Sequence, residues 1–160
     1  MQSTFKKTRI KILAWFFNTC LPLYSKYCKP KKKAWNLTKK QLLALPENTL
    51  GHHLGMFLKQ NQFDLMPKLE NHDCFHVLSN YKTEVKDEIA LQYLCFGNGE
   101  RNLSAILVML SGSILLPEHL SYYLKSFRKG KQIKPFYHLN FEPLLKTNLK
   151  TLKTDLLWKN

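Results

Sequence analysis

Residues that break regular structure are scarce in this sequence, and no apolar run is long. The 160 residues include six glycines and seven prolines, too few for a collagen-like repeat or a long flexible linker. The longest apolar stretch, Leu103–Leu116, is shorter than the about 20 residues that a membrane-spanning helix needs. Hydrophobic residues still make up 44% of the chain, which is enough to bury a core. We therefore expect one folded domain, with Leu103–Leu116 as a buried core helix.

Cysteine is also scarce and follows no pattern. The four cysteines stand at positions 20, 28, 74 and 95. None of them form a C-x-x-C pair, and their spacing fits no zinc finger. We expect free thiols in a reducing compartment rather than disulfides.

Acidic residues are absent from the first 46 positions, which hold eleven of the 25 Lys and Arg residues. The formal net charge of +14 is therefore concentrated near the N-terminus. Within Phe5–Cys28, apolar side chains gather on one helical face: Ile10, Leu13, Phe16 and Phe17. Such a basic amphipathic helix either lies at a membrane interface or packs on the domain. A targeting segment is a third alternative, although no small-residue cleavage site follows.

The cluster Lys29–Lys33 extends this basic segment. Its positive charge favours contact with anionic lipid headgroups. No stacking platform or nucleic-acid-binding motif accompanies the cluster, so we expect no nucleic-acid partner. The sequence thus divides into a basic, membrane-contacting segment at residues 1–37 and a helical domain at residues 38–160.

Helical periodicity dominates from Thr38 onward. Thr38 and Thr49 are predicted to cap two helices at their N-termini, and Gly97 and Gly99 are predicted to end a later one. The predicted helices are Thr38–Leu45, a helix starting at Thr49, Met66–Ser79, Glu84–Phe96, Leu103–Leu116, Pro117–Lys131 and Phe141–Trp158. No stretch shows the sustained two-residue alternation of a β-strand. The predicted fold class is therefore all-α, a single compact helical domain that follows an N-terminal basic amphipathic helix.

Two histidines four residues apart, His72 and His76, are the most distinctive chemical feature of the chain. Side chains at this spacing project from one face of a helix, so both imidazoles can hold one divalent cation. Glu88 follows twelve residues later, early in the next predicted helix. A short turn between antiparallel helices brings such a residue back towards the imidazoles. Because a carboxylate among apolar neighbours is costly to bury alone, a metal ion is a suitable partner for Glu88.

Asp73 adds a carboxylate directly beside His72. It can act as a fourth ligand, as a general base on bound water, or as a group that orients an imidazole. Paired histidines also occur as polar surface and in core hydrogen-bond networks. The residues alone therefore leave a metal site and a structural cluster equally open.

The order H-D-x-x-H, eleven residues, then E resembles the signature of the coenzyme Q biosynthesis protein four family. Further similarity extends over about residues 45–158. The similar segments are Leu45–Gly51 with Phe57 and Leu58, His76–Leu78 with Tyr81, Glu88–Gln92, Arg128–Lys131 and Asn140–Leu144. Three positions depart from the family pattern: Asn80 stands where Gly is usual, Asp87 where a small residue is usual, and Asn140 where Asp is usual.

The resemblance implies an all-α protein of ubiquinone biosynthesis that lies peripherally on a membrane. It implies binding of isoprenoid or quinone-type lipids in an apolar groove, to which Leu103–Leu116 would contribute. It also implies that the protein organises other quinone-biosynthesis proteins, and self-association is a further expectation. The expected location is cytoplasmic at the inner membrane in a bacterium, or the matrix face of the mitochondrial inner membrane in a eukaryote.

The chemistry that the resemblance implies is removal of the ring C1 carboxyl group from a prenylated benzoate precursor, with a hydroxyl group taking its place. His72, Asp73, His76 and Glu88 would hold a divalent metal ion, with Zn²⁺ expected first and Fe²⁺ or Mg²⁺ as alternatives. The ion would stabilise the charge that develops at the reacting carbon. Asp73 or Glu88 would then move a proton.

Two other functions remain open at this point. A non-catalytic scaffold or lipid carrier would use the same fold and the same metal. A metal-dependent phosphohydrolase of the HD type would instead combine His72 and Asp73 with His52 or His53 and with Asp155, at looser spacing. That second class has no use for Glu88.

Overall fold

The computed structural model describes residues 4, 6–15, 19 and 33–157, and these residues are helices joined by short turns. Residues 16–18 and 20–32, which include most of the Lys29–Lys33 cluster, lie outside the described residues, as does Trp158. The helices are α1 over residues 6–15, α2 Lys39–Leu43, α3 Leu50–Asn61, α4 Glu70–Ser79, α5 Val85–Asn98, α6 Leu103–Leu115, α7 Leu120–Gln132 and α8 Leu149–Leu157. Two 3₁₀ turns cover Pro117–His119 and Glu142–Leu144. No strand occurs in the described residues, and the predicted all-α class is confirmed.

Threonine side chains start α2 and α3, as predicted. The Thr38 hydroxyl accepts a hydrogen bond from the Gln41 N–H at 3.2 Å, and the Gln41 side chain accepts one from the Thr38 N–H at 2.8 Å. This reciprocal capping box satisfies two N–H groups that the helix leaves unpaired. Thr49 caps α3 by accepting a hydrogen bond from the His52 N–H.

The turn between α4 and α5 depends on an asparagine. Asn80 ends α4 with φ 60° and ψ 27°, the left-handed conformation that this position requires. Asparagine can take the place of the glycine that is usual here, because its side chain tolerates that conformation. At the other end of α5, the prediction for Gly97 was wrong. Gly97 lies inside the helix, and Gly99, with φ 122°, is the residue that ends it.

The chain packs as two compact units, of which the first comprises Met1–Pro30 and Lys82–Gln132. In this unit α5 and α7 run in the same direction, since Asp87 contacts Tyr122 near their N-terminal ends and Asn98 contacts Gly130 near their C-terminal ends. The Asn98 amide donates to the Gly130 carbonyl at 3.2 Å. Gly97 and Gly130 let the two backbones approach closely, because a Cβ at either position would collide with the carbonyl of the facing helix.

Helix α6 differs most from its prediction. Only two of its residues, Ala105 and Gly112, are buried, so the expectation of a buried core helix was wrong. Every third or fourth residue forms an exposed apolar stripe: Leu103, Leu107, Leu110 and Ile114, which are 71%, 50%, 57% and 75% exposed. No single described helix is long and apolar enough to span a membrane, whereas Leu103–Leu115 and Pro117–Gln132, bent by 106°, pass that test together.

The second unit comprises Lys31–Tyr81 and Ile133–Asn160 and holds α4 in place. Phe75 of α4 packs edge-on against Phe136 and Phe141, with ring centroids 5.3 Å and 5.8 Å apart. The Asn71 side chain donates to the Leu139 carbonyl at 2.8 Å and accepts from the Phe141 N–H at 3.3 Å. Helix α4 is thereby anchored at its first turn and along its buried face.

Candidate metal centre

His76 is buried and held in one orientation. Its side chain is 3% exposed, and its ring stacks on Phe57 with centroids 5.3 Å apart and an interplanar angle of 20°. Its Nδ1 lies 3.1 Å from the Tyr81 carbonyl oxygen. Because a carbonyl oxygen only accepts, Nδ1 must carry the proton of the neutral ring. The Nε2 lone pair of His76 is therefore available as an acceptor or a metal ligand.

His72 directs its own Nε2 at that lone pair. The two Nε2 atoms are 3.3 Å apart. In a tetrahedral site with Zn–N bonds of 2.0–2.1 Å, two nitrogen ligands lie about 3.3–3.4 Å from each other. His72 can donate an N–H into the His76 lone pair, or both lone pairs can face one shared cation. The distance between the two nitrogens therefore matches that of two ligands of a tetrahedral ion.

The carboxylates of the predicted site stay predictions. Glu88 lies in the first turn of α5, which belongs to the first unit, whereas His72 and His76 belong to the second. The roles of Asp73 as ligand and as base likewise stay predictions. Two imidazoles with one carboxylate would suit zinc or iron, and three protein ligands would leave a fourth position for water or substrate, as in catalytic zinc sites.

The first turn of α5, which carries Glu88, is strongly acidic. Glu84 lies at its start, and Asp87 immediately precedes Glu88. A hydrogen bond from Lys86, together with the charge of that lysine, lowers the pKa of the exposed Glu84 carboxyl. Negative charge in this turn is favourable, because the N-terminus of a helix carries partial positive charge.

Tyr122 contacts this acidic turn and was not among the predicted site residues. The Tyr122 hydroxyl donates to Asp87 Oδ1 at 2.8 Å. The role of the Tyr81 carbonyl was not predictable either, because a backbone acceptor is not visible in the residue pattern. Tyr122 has no spacing relation to His72 or Glu88 in the sequence, so no local signal could have identified it.

The residues of the phosphohydrolase alternative form no comparable group within the described part of the chain. His52 Nδ1 lies 3.1 Å and 3.0 Å from the carbonyl oxygens of Leu43 and Leu45, so this imidazole helps to close the turn after α2. The neighbouring His53 is exposed. Partial removal of its ring from water, followed by the charges of His52 and Lys153, lowers the pKa of His53. Asp155 is exposed on α8.

Comparison with known proteins agrees with the family that the motif resembles. The family model for Coenzyme Q (ubiquinone) biosynthesis protein Coq4 matches residues 65–159. The chain belongs to this family. The matched range begins before α4 and therefore includes His72, Asp73, His76 and Glu88.

Individual relatives carry names from the same pathway. The mitochondrial ubiquinone biosynthesis protein COQ4 of Clavispora lusitaniae is 26% identical over a match that covers 80% of this chain and 47% of that protein. The mitochondrial ubiquinone biosynthesis protein COQ4 homolog 2 of Paramecium tetraurelia is 30% identical over a match that covers 80% of this chain and 72% of that protein. The chain thus spans about half of the first relative and most of the second.

A solved structure shares the fold of this chain. It is the crystal structure of a candidate ubiquinone biosynthesis protein from Nostoc punctiforme. The two superimpose with a TM-score of 0.62 over 95% of this chain and 80% of that one, at 18% sequence identity. At this identity the likeness shows a common helical architecture and nothing finer.

Proposed function

We propose that this protein acts in coenzyme Q biosynthesis as a membrane-peripheral metal protein that binds prenylated quinone precursors. Its role there is to take part in replacing the ring C1 carboxyl group of the precursor with a hydroxyl group. The observation that carries the proposal is the pair of Nε2 atoms 3.3 Å apart, with the His76 tautomer set by Tyr81. Family membership connects this donor pair to quinone synthesis.

Each residue of the group has a separate task in this proposal. His72, His76 and Glu88 hold the ion, with Zn²⁺ expected before Fe²⁺ or Mg²⁺. A bound divalent ion supplies positive charge that stabilises negative charge on the substrate carboxylate or ring oxygen. The Tyr81 carbonyl holds the proton of His76 on Nδ1, so that Nε2 is the nitrogen that binds the ion. Asp73 or Glu88 moves a proton, since a carboxylate within reach of the substrate can accept and return one.

The lipid part of the proposal draws support from the first unit. Contiguous exposed apolar surface usually marks a partner, and the stripe on α6 is such a surface. Helix α1 adds an exposed Trp15, at 68%, together with exposed Lys7 and Lys11. Aromatic and basic side chains together suit the interface of an anionic membrane. We propose that these surfaces meet the membrane and the polyprenyl tail.

The relatives support the proposed location and protein partners. Both curated relatives are named as mitochondrial, which supports the matrix face of the mitochondrial inner membrane. The bacterial alternative is the cytoplasmic face of the inner membrane. Other quinone-biosynthesis proteins are the proposed partners. A homo-oligomer is also part of the proposal, and light scattering of the purified chain would measure its mass directly.

Metal analysis of the purified full-length chain tests the proposal. We expect about one equivalent of metal in the wild type, none in His72→Ala, and an unchanged content in His53→Ala, the matched control on an exposed histidine. Mass spectrometry of co-purifying lipid should find a prenylated aromatic compound. A folded wild-type chain that binds no divalent metal from buffer would refute the metal centre.

Complementation separates catalysis from scaffolding. The His72→Ala variant is expressed in cells that lack their own family member, and ubiquinone is quantified by mass spectrometry. We expect ubiquinone to stay at the background level while His53→Ala restores it. If His72→Ala is folded, free of metal and still restores ubiquinone, the protein is a scaffold or lipid carrier and the catalytic proposal is wrong.

A further inference from the structure

Asp87 is a buried carboxylate that the proposed chemistry does not use. It is 6% exposed, and its Oδ1 accepts a hydrogen bond from the Tyr122 hydroxyl at 2.8 Å. A buried carboxylate is costly unless hydrogen bonds satisfy it. The Tyr122 contact therefore favours conformations in which the first turn of α5 lies against the start of α7.

This hydrogen bond is one of several contacts between α5 and α7. Midway along α5, the Tyr93 and Tyr123 rings stack with centroids 5.4 Å apart. At the C-terminal end, Asn98 donates to the Gly130 carbonyl. The Tyr122–Asp87 hydrogen bond acts at the N-terminal end of α5, where Glu88 lies.

We propose that Tyr122 and Asp87 are positioning residues for Glu88. The inference rests on the proposed metal function and adds the part of the chain that holds the carboxylate ligand ready. Consecutive helical residues differ by about 100° in direction and 1.5 Å in height. The hydrogen bond that holds the Asp87 side chain against α7 therefore also fixes the Cα position of Glu88. The Glu88 side chain leaves the helix in a different direction from that of Asp87.

Titration with Co²⁺ tests this inference with a spectroscopic signal. Co²⁺ stands in for the unidentified ion because its visible absorption reports ligand number and geometry. We expect Tyr122→Phe to weaken Co²⁺ binding about tenfold, the lower end of what loss of a group supporting a ligand costs. The absorption band should also change in intensity, because the Glu88 oxygen is no longer held in one place.

Tyr93→Phe is the matched control. It removes a tyrosine hydroxyl from α5 whose oxygen lies 2.6 Å from Ser113 Oγ. Tyr93 lies more than one helical turn beyond Glu88. Both variants lose one hydrogen bond, so both metal-free proteins should show a similar fall in melting temperature. Only Tyr122→Phe should change Co²⁺ affinity, while Tyr93→Phe should stay within about twofold of the wild type. Equal Co²⁺ affinity in the two variants would leave Tyr122 a merely structural role and overturn the proposal.

Asp87→Asn distinguishes positioning from charge. Its amide oxygen can still accept the Tyr122 hydrogen bond, so Co²⁺ affinity should stay close to that of the wild type. If Asp87→Asn weakens binding as much as Tyr122→Phe, the carboxylate acts through its charge on the ion and the positioning role is wrong. If the wild type binds no Co²⁺, the proposed metal centre is wrong. If the wild type binds Co²⁺ and Tyr122→Phe binds it equally well, only the positioning role is wrong.

Discussion

Replacement of Gly97 by alanine should loosen the packing of α5 against α7. Gly97 faces the backbone of α7, and a Cβ there would overlap the Phe127 carbonyl oxygen. It would also lie 3.0 Å from the Phe127 carbonyl carbon and 3.2 Å from its Cα. Carbon atoms pack best at roughly 3.5–4.0 Å. The added methyl group therefore requires the two helix backbones to separate.

The expected loss of stability is the difference between two effects. Overpacking of a filled core costs typically about 1–3 kcal/mol, and the upper end applies because backbone atoms, unlike side chains, cannot rotate away. Alanine in a helix interior regains about 1 kcal/mol relative to glycine. The net effect is a destabilisation of about 2 kcal/mol. For a chain of this length, that lowers the melting temperature by roughly 4–8 °C.

Thermal unfolding followed by circular dichroism measures the change. The control is Gly112→Ala on α6, whose Cβ would instead meet Ile89 side-chain atoms at 2.6–2.7 Å. Ile89→Val removes one of these atoms and should partly rescue Gly112→Ala. Truncating the Phe127 side chain should not rescue Gly97→Ala, because the collision is with the backbone. If Gly97→Ala is neutral or raises the melting temperature, the close approach of α5 and α7 is wrong.

Three further predictions concern a thiol, a turn and a surface. Burial, with a smaller effect from Glu100, raises the pKa of Cys95 well above its usual value, so Cys95 should resist alkylation at pH 8 until the protein unfolds, as peptide mapping would show. Asn80→Ala should cost about 1–2 kcal/mol because of its left-handed backbone, whereas Asn80→Gly should be close to neutral in denaturant unfolding. Leu110→Glu should reduce co-sedimentation with anionic vesicles at least severalfold. Glu142→Gln is the control and should bind the vesicles as well as the wild type does.

The parts of the fold that local chemistry controls were predictable. Thr38 and Thr49 start their helices because each hydroxyl accepts a hydrogen bond from an N–H group of the first helical turn. This cap involves only a few neighbouring residues. Asn80 ends its helix for a similarly local reason. The i,i+4 spacing of His72 and His76 predicted a shared face, and the two Nε2 atoms 3.3 Å apart agree with it.

The features that depend on neighbouring elements were not predictable in this way. Gly97 was predicted to end a helix. Glycine occurs both at helix ends and where two helices pack closely, and the sequence alone does not distinguish the two positions. Helix α6 looked like a core helix because its mean composition is apolar. Whether an apolar helix is covered depends on what packs around it, and composition does not contain that information.

Asp87 illustrates the same limit at the candidate site. Asp87 departs from the family pattern, and from the sequence alone an added carboxylate beside Glu88 places a second like charge near the site. The Asp87 carboxylate instead accepts a hydrogen bond from the Tyr122 hydroxyl. The departure at position 87 therefore has a structural explanation as a contact between α5 and α7, and the measured effect of Tyr122→Phe on metal binding decides whether it also contributes to the site.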